Sequence, residues 1–428
     1  MLDIKFIREN PEIVKKDLEK RQDKEKIEWI DALLEKDKEY RQVLKENEEL
    51  RRTRNTAAEE INELKKEGKD ISKKIKDVQE IPKIIKDNDE KLKTLKEEIE
   101  FFLMRIPNIL ESEVPFGKDS SENKIVKTHG EHKKFGFALK SHGELIEELG
   151  LADFKRATKT AGAGFYYLKG DLALLDIALQ RFAIDFLRSK GFTLVEPPLM
   201  MNKDAYEGVT ALAEFETVMY KIQDEDLYMI ATSEHPMAAM FKDEVLEEKE
   251  LPIKFCGVSP CFRREIGSHG VDTRGLFRVH QFNKVEQFIF CKPEDSKKFH
   301  KELQENSEEM YKLLGIPFRV VDICTGDIGI IATRKFDLEA WSPRENIYFE
   351  VGSNSNCTAY QATRLNIKYK KGDEKEYVNT LNNTAIATSR ALRAIIENYQ
   401  QEDGSIEVPK ALQKYMDGMK FIKKQKVF

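Results

Sequence analysis

A chain of 428 residues, 40% of them hydrophobic, has room for two or three domains and a sizeable core, which excludes a wholly disordered protein. Its net charge of −5 excludes a global basic field, so any nucleic-acid contact must come from local patches. The five cysteines, at 256, 261, 291, 324 and 357, contain no CxxC pair, which argues against a zinc ribbon and for a reducing compartment.

The N-terminus is charged from Asp3 onward and has neither a signal-like apolar region nor a membrane run, so a soluble cytoplasmic protein is expected. From about Trp29 to Ile106 the composition shifts to Lys and Glu. Apolar or small residues recur at Val43, Leu50, Ala57, Ile61 and Leu64, with Asn47 and Arg54 on the same seam. Residues 65–70 form a turn, with Gly68 as a helix terminator. A second run follows at Ile71, Ile75, Val78, Ile85, Leu92 and Ile99. Two heptad helices joined by a turn make an antiparallel coiled-coil hairpin. Each helix is roughly 35 residues long, hence about 50 Å. Pro82 is expected to kink or break the descending helix. Heptads alone fit a dimerisation coil or a spacer. The clusters Arg51, Arg52, Arg54 and Lys73, Lys74, Lys76 add the alternative of an RNA-binding arm.

Pro107, Pro115, Gly117 and Gly136 break any period, so residues 107–140 are expected to be a linker. His129 and His132 have metal-like spacing but no further ligands nearby, which disfavours zinc. From Ser141 a globular body begins. Leu172 to Leu187 has helical apolar spacing, and residues 191–198 suggest a strand ending at Pro198. After a polar loop at 206–221, Thr232 and Glu234 are expected on a strand end, pointing the same way, although Thr-Ser-Glu is also a helix-capping signal.

Residues 255–288 are the most distinctive stretch. An apolar run leads to Cys261-Phe262-Arg263-Arg264-Glu265, a Gly-rich loop spans 267–275, and Leu276 to Glu286 returns. This predicts an antiparallel hairpin, with Arg263 and Glu265 on one face and Arg278, His280 and Phe282 together. Guanidiniums for phosphates, a ring for a base and a carboxylate for an exocyclic amine suit a nucleotide. A solvated hairpin with surface charges is the plainer alternative. Further on, 294–314 is an amphipathic helix. Glu350 is expected on a strand and Ser353 on the following turn, where their oxygens could hold Mg²⁺, or Glu350 could be a buried structural residue. Residues 379–400 suggest strand, tight turn and helix. Arg390 falls near the helix start, and Arg393 is expected to be an ordinary surface residue. Lys420, Lys423, Lys424 and Lys426 form a basic tail.

The wording CFRREIGSHGVDTRGLFRVHQFNKVEQ resembles motif 2 of the class II aminoacyl-tRNA synthetases, and specifically the seryl-tRNA synthetase family. The likeness covers nearly the whole chain. Residues 172–198 resemble motif 1, which builds a dimer interface, and 379–400 resemble motif 3. The implied fold is α+β, an antiparallel coiled-coil arm followed by an antiparallel sheet flanked by helices. The implied domains are 1–106 for tRNA binding, a linker at 107–140, and a catalytic domain at 141–428. The implied reaction joins L-serine to ATP, with Mg²⁺, and transfers the seryl group to the 3′ end of tRNA(Ser), leaving tRNA(Sec) as an open second substrate.

The resemblance also implies site roles. Arg263 would bridge the serine carboxylate and the α-phosphate. Phe282 and Arg390 would sandwich adenine, with Glu265 near its amine and Arg278 at the outer phosphates. Thr232, Glu234, Glu286 and Thr384 would line the serine pocket, the amine and hydroxyl contacts undivided among them. Glu350 and Ser353 would hold Mg²⁺, and Arg263, Glu286 and Arg390 would carry catalysis. A homodimer and tRNA capture by the arm are implied as well. Two other classes stay open: a ligase that loads a carrier protein, whose members lack the arm, and a non-catalytic paralogue, which would have lost a motif Arg or Glu.

Overall fold

The structure is a computed structural model describing residues 1–210, 217–265 and 275–425. Most of the 267–275 loop, residues 211–216 of the polar loop, and Lys426 lie outside the described residues. The chain divides into two compact units, Leu2–Pro107 and Asn108–Phe428.

The first unit is helical. Helices α1 (Ile4–Glu9) and α2 (Pro11–Lys20) precede α3 (Lys24–Lys66), an uninterrupted helix of 43 residues. At its end the Gly68 N–H reaches Lys65 O and the Lys69 N–H reaches Leu64 O. This is the paired closure that needs a left-handed residue, and Gly68 supplies it at φ 71°. The return limb is two helices rather than one, α4 (Ser72–Val78) and α5 (Ile81–Leu103). Pro82 lies in the first turn of α5, where its missing N–H costs nothing, so the interruption is a break and not a kink.

The seam buries Ile30, Leu33, Val43 and Ala57 against Ile81, Ile85, Leu95 and Leu103. Asn47 is buried in it and donates to Asp89 at 2.7 Å. Arg54, expected on the seam, is exposed. Lys36–Glu98 and Lys91–Glu39 bridge the limbs at 2.9 and 2.7 Å. At the base, Arg8 and Arg41 hold the buried Asp37, and Trp29 packs on Phe101 and Phe102.

The second unit is organised on one eight-stranded sheet. Its strands are β1 (Lys124–His129), β2 (Thr193–Val195), β3 (Ile253–Phe262), β4 (Gln281–Cys291), β5 (Phe318–Asp322), β6 (Arg334–Ser342), β7 (Ile347–Thr358) and β8 (Asn379–Ala387). The spatial order is β1-β5-β6-β7-β8-β4-β3-β2, antiparallel except where β2 joins β3. The segment expected as a linker therefore belongs to this unit. It supplies the edge strand β1, and the Asn108 amide donates to Ile331 O and Cys357 O, both at 2.9 Å. The two histidines of that segment are spent on packing. His129 lies against Phe318, and His132 stacks on Trp341 at 3.7 Å.

Alternation along the strands separates two faces. One carries Val285, Ile289, Leu338, Val351 and Leu381 beneath α6 (Gly170–Ser189), α9 (Ser296–Leu313) and α11 (Thr388–Tyr399). Each such side chain contributes about 1.5–3 kcal/mol relative to exposure. At one end of the other face, the short helices α7 (Lys203–Val209), α8 (Glu234–Ala239) and α10 (Tyr360–Leu365) share a core with Phe288 and Phe290. Gly257 lets α8 approach, since a Cβ there would stand 2.5 Å from the Met237 methyl. Further along that face, Lys284, Glu286, Asp337 and Thr384 stand between smaller apolar clusters around Phe282 and Val321.

Candidate active site

The hairpin strands stop earlier than the sequence suggests. Phe262 pairs with Gln281, so Arg263, Glu265 and Arg278 stand on the stem beyond the ladder rather than on a strand face. The Arg263 N–H still donates to His280 O at 2.9 Å. Glu265 adopts φ 48°, a strained backbone for a residue with a Cβ, and meets Arg278 at 3.7 Å. The Arg263 guanidinium lies over the Phe282 ring at 5.2 Å, and its Nε donates to Ala231 O at 3.4 Å. His280 is occupied elsewhere, stacked on Phe165 and bonded to the Tyr220 hydroxyl at 2.6 Å.

On β7, Glu350 and Ser353 are both strand residues, which corrects the expected turn. Three residues apart, they would face opposite sides of a regular strand. The register slips between Leu338 and Glu339, so that Glu339 faces Glu350 and Leu338 faces Gly352. Val351 is the extra residue of this bulge, and it brings Glu350 and Ser353 to the same side. Arg390, in the first turn of α11, pairs with the Glu350 carboxylate at 2.9 Å and lies over Phe277 at 5.4 Å. A cation at a helix N-terminus opposes the helix dipole, and Glu350 offsets this. Burial alone would raise the Glu350 carboxyl, but Arg390, Lys335 and Arg263 outweigh it and hold its pKa below the ordinary value. Asp337, opposite Ser353, is pushed up to about 6 by burial and by the charge of Glu350, against the pull of Lys335.

Thr232 and Glu234 do not sit on a strand end. The strand stops at Met229, and Glu234 opens α8. The Thr232 hydroxyl accepts the Glu234 N–H at 3.1 Å, a local turn contact, while Ser233 stands at the N-cap without a side-chain cap bond, so the capping alternative is not what the structure shows. The Glu234 Oε1 accepts from the amides of Gln361 and Asn382 at 3.1 and 3.0 Å. Burial, then the neighbouring Glu286, push its pKa up to about 7. Glu286 is fully buried on β4 and is ion-paired with Lys284 at 2.5 Å. Burial raises its pKa too, and Lys284 opposes the rise.

Thr232, Glu234, Arg263, Glu265, Glu286, Glu350, Ser353 and Thr384 together line one cavity of about 540 Å³. An adjoining cleft is lined by Phe277, Arg278, Phe282 and Arg390, and shares Arg263, Glu265, Lys284, Glu350 and Thr384 with it. One half is thus roomy and carboxylate-lined, and the other is a narrower cleft, cationic and aromatic.

Several residues of the site escaped the sequence reading. Lys284 was legible in principle, as a Lys two residues before Glu286 in an apolar strand. Lys335, Asn382 and Gln361 carry no local signal. Phe277 has no sequence signal beyond that of a strand residue, yet it walls the cleft. Arg393, expected on the surface, is 0% exposed. It pairs with Glu345 at 2.6 Å and Glu397 at 3.2 Å, and lies over Phe277 and Phe349.

Residues 217–399 match the family model described as the tRNA synthetase class II core domain (G, H, P, S and T), and the class II synthetases are the class that this sheet and cleft define. Residues 1–110 match the seryl-tRNA synthetase N-terminal domain. The serine–tRNA ligase of Methanocorpusculum labreanum is 58% identical over 99% of this chain and 100% of its own. The crystal structure of seryl-tRNA synthetase from Pyrococcus horikoshii complexed with ATP superposes with a TM-score of 0.93 at 46% identity, covering 100% of both chains. That of the cytoplasmic serine–tRNA ligase from Naegleria fowleri in complex with AMP gives 0.87 at 38%, covering 100% of this chain and 99% of that one. The chain belongs to the seryl-tRNA synthetase family.

Proposed function

We propose that the chain is a serine–tRNA ligase that activates L-serine with ATP and transfers the seryl group to the 3′ end of tRNA(Ser). The observation that carries this is the pairing of a carboxylate-lined pocket with a cationic, aromatic cleft through the shared Arg263 and Glu350. In the first step a serine carboxylate oxygen attacks the α-phosphorus, the bond to the bridging oxygen breaks, and pyrophosphate leaves with its electron pair. A ribose hydroxyl of the tRNA then attacks the seryl carbonyl, and AMP departs. Neither step needs a protein nucleophile, so positioning and charge stabilisation carry the catalysis.

Arg263 bridges the serine carboxylate and the α-phosphate in this reading. Adenine lies between Phe282 and Arg390 with Glu265 at its amine, and Arg278 meets the outer phosphates. In the pocket, Glu286 has Lys284 as its counter-ion, whereas Glu234 is met by the neutral amides of Gln361 and Asn382. The substrate ammonium is therefore the missing cation of Glu234, with Thr232 beside it. Glu286 and Thr384 are left to read the serine hydroxyl.

Glu350 and Ser353 suit Mg²⁺, a hard cation that takes one or two protein oxygens and completes its shell with phosphates and water. The bulge that aligns them and the depressed pKa of Glu350 support the fit. Bound there, the ion would neutralise phosphate charge.

The arm is the partner surface for tRNA(Ser) in this reading, and the motif 1 region forms a homodimer. Ile177 is 60% and Leu194 42% exposed there, apolar surface that a second copy would cover. Five buried free cysteines accord with a cytoplasmic setting, and among the described residues no helix is long and apolar enough to cross a membrane. Serine-dependent ATP–pyrophosphate exchange tests the core of the proposal, and exchange with another amino acid in place of serine would overturn it.

A further inference from the structure

Glu397, near the end of α11, is buried and receives three donors. His142 Nδ1 lies 3.1 Å from Oε1, Arg393 Nε donates to Oε1 at 3.2 Å, and Ser342 Oγ donates to Oε2 at 2.5 Å. The other ring nitrogen of His142 has a different partner, the Leu276 N–H at 3.0 Å. A backbone N–H can only donate, so Nε2 accepts, and the ring proton sits on Nδ1 and points at Glu397. The carboxylate fixes the tautomer, and the tautomer fixes which nitrogen can hold the chain.

What that nitrogen holds is the return limb of the charged hairpin. Gly275, just before it, has φ 106°, and a Cβ there would stand 2.3 Å from His142 Nε2. Just after it, the Phe277 ring lies 4.5 Å from the Arg393 guanidinium and 5.4 Å from that of Arg390, and Arg278 turns to Glu265. His142 and Glu397 line neither half of the site. They touch what does.

We propose that His142 is a positioning residue for the nucleotide half of the site: held by Glu397, it clamps the Leu276 backbone and so sets Phe277 and Arg278 against ATP. The inference rests on the reading of that half as the ATP site. A merely structural histidine would affect both substrates through stability, whereas a clamp affects ATP alone.

Two substitutions separate the bonds. In His142→Gln the side-chain oxygen can stand near the lost Nε2 and accept from Leu276. In His142→Asn the shorter amide can serve Glu397 but does not reach Leu276. Calorimetry with ATP needs no turnover, so it reads the clamp independently of the reaction. The expected result is a Kd for ATP raised about tenfold in His142→Asn, the scale of one lost hydrogen bond, and near parental in His142→Gln. Serine Kd and thermal midpoint should match between the two variants. Parental ATP affinity in His142→Asn, or equal losses for ATP and serine in both variants, would overturn the clamp. Should neither variant fold, Gly275→Ala pushes a methyl at His142 from the other side and leaves Glu397 alone. It should weaken ATP and spare serine, and unchanged ATP affinity would again overturn the clamp. Absence of serine-dependent exchange in the unmodified protein would instead count against the reaction assigned to it.

Discussion

Thr384 stands directly opposite Glu286 in the β8–β4 pairing, and its hydroxyl donates to Glu286 Oε2 at 3.3 Å. A substrate hydroxyl inserted here has two partners, since it can donate to Glu286 and accept the proton that Thr384 gives to Glu286 in its absence. Replacing Thr384 with Val keeps the shape and removes one of the two. We expect kcat/KM for serine to fall roughly 10- to 100-fold, the cost of a buried hydroxyl contact, with alanine activation still poor. Exchange assays with both amino acids check this, and an unchanged serine value would remove Thr384 from the hydroxyl contact.

Serine affinity should depend on pH through Glu234. Its pKa of about 7 in the free site means that the carboxyl is largely protonated below neutrality. Binding an ammonium favours the ionised form and lowers that pKa, so a proton is released. Affinity should therefore rise with pH up to about 7 and level off above it, falling about tenfold per unit well below. Lys284 and Arg263 already act to lower this pKa, and Glu286 acts to raise it. Calorimetry in two buffers of different ionisation enthalpy counts the proton, and Glu234→Gln should abolish its release.

Arg263→Ala and Arg390→Ala should each slow adenylate formation by about 10²–10³, the usual effect of losing one charge-stabilising donor. Arg390→Ala also leaves Glu350 without its closest cation, so the Glu350 pKa should climb. Single-turnover activation gives the rate and thermal melting tests the fold. A normal rate in either variant would remove its assigned role.

Replacing Ile177 and Leu194 together with Glu should give a monomer in sedimentation if the motif 1 region is the subunit interface. Deleting roughly residues 36–100 of the arm should not. An arm-dependent dimer would move the interface to the coiled coil.

The same deletion separates the two steps. All residues proposed for activation lie in the second unit. Exchange should survive the deletion while tRNA charging is lost. In the intact protein, tRNA affinity should fall steeply with salt, as phosphate contacts release counterions. Charging at the parental rate without the arm would leave it a spacer.

The parts legible in the sequence were those written in local periods. Heptads gave the arm, alternating charge and aromatic residues gave the hairpin, and the segment 379–400 gave its strand and helix. What escaped depends on a partner elsewhere in the fold. Arg393 looked like a surface residue because helical spacing does not say which face Glu345 and Phe349 will cover. Ser353 resembles a turn residue in the sequence because a bulge is a property of two strands, and β6 is not visible from β7. Residues 107–140 looked like a linker because the β1 partner, β5, lies nearly 200 residues further on. Gln361 and Asn382 are ordinary amides until Glu234 is brought between them.

The bulge at Val351 has a use outside this chain. The spelling Glu-x-x-Ser carries its spatial meaning only in a strand with one surplus residue. Grafted onto a regular strand of a designed protein, the same four letters would put the carboxylate on one side of the sheet and the hydroxyl on the other. A designer wanting this oxygen pair on a flat scaffold should write Glu-x-Ser. In this chain, deleting one residue between Glu350 and Ser353 should let the strand relax to regular pairing with both oxygens still facing the pocket, a change that no comparison of aligned letters would rank as conservative.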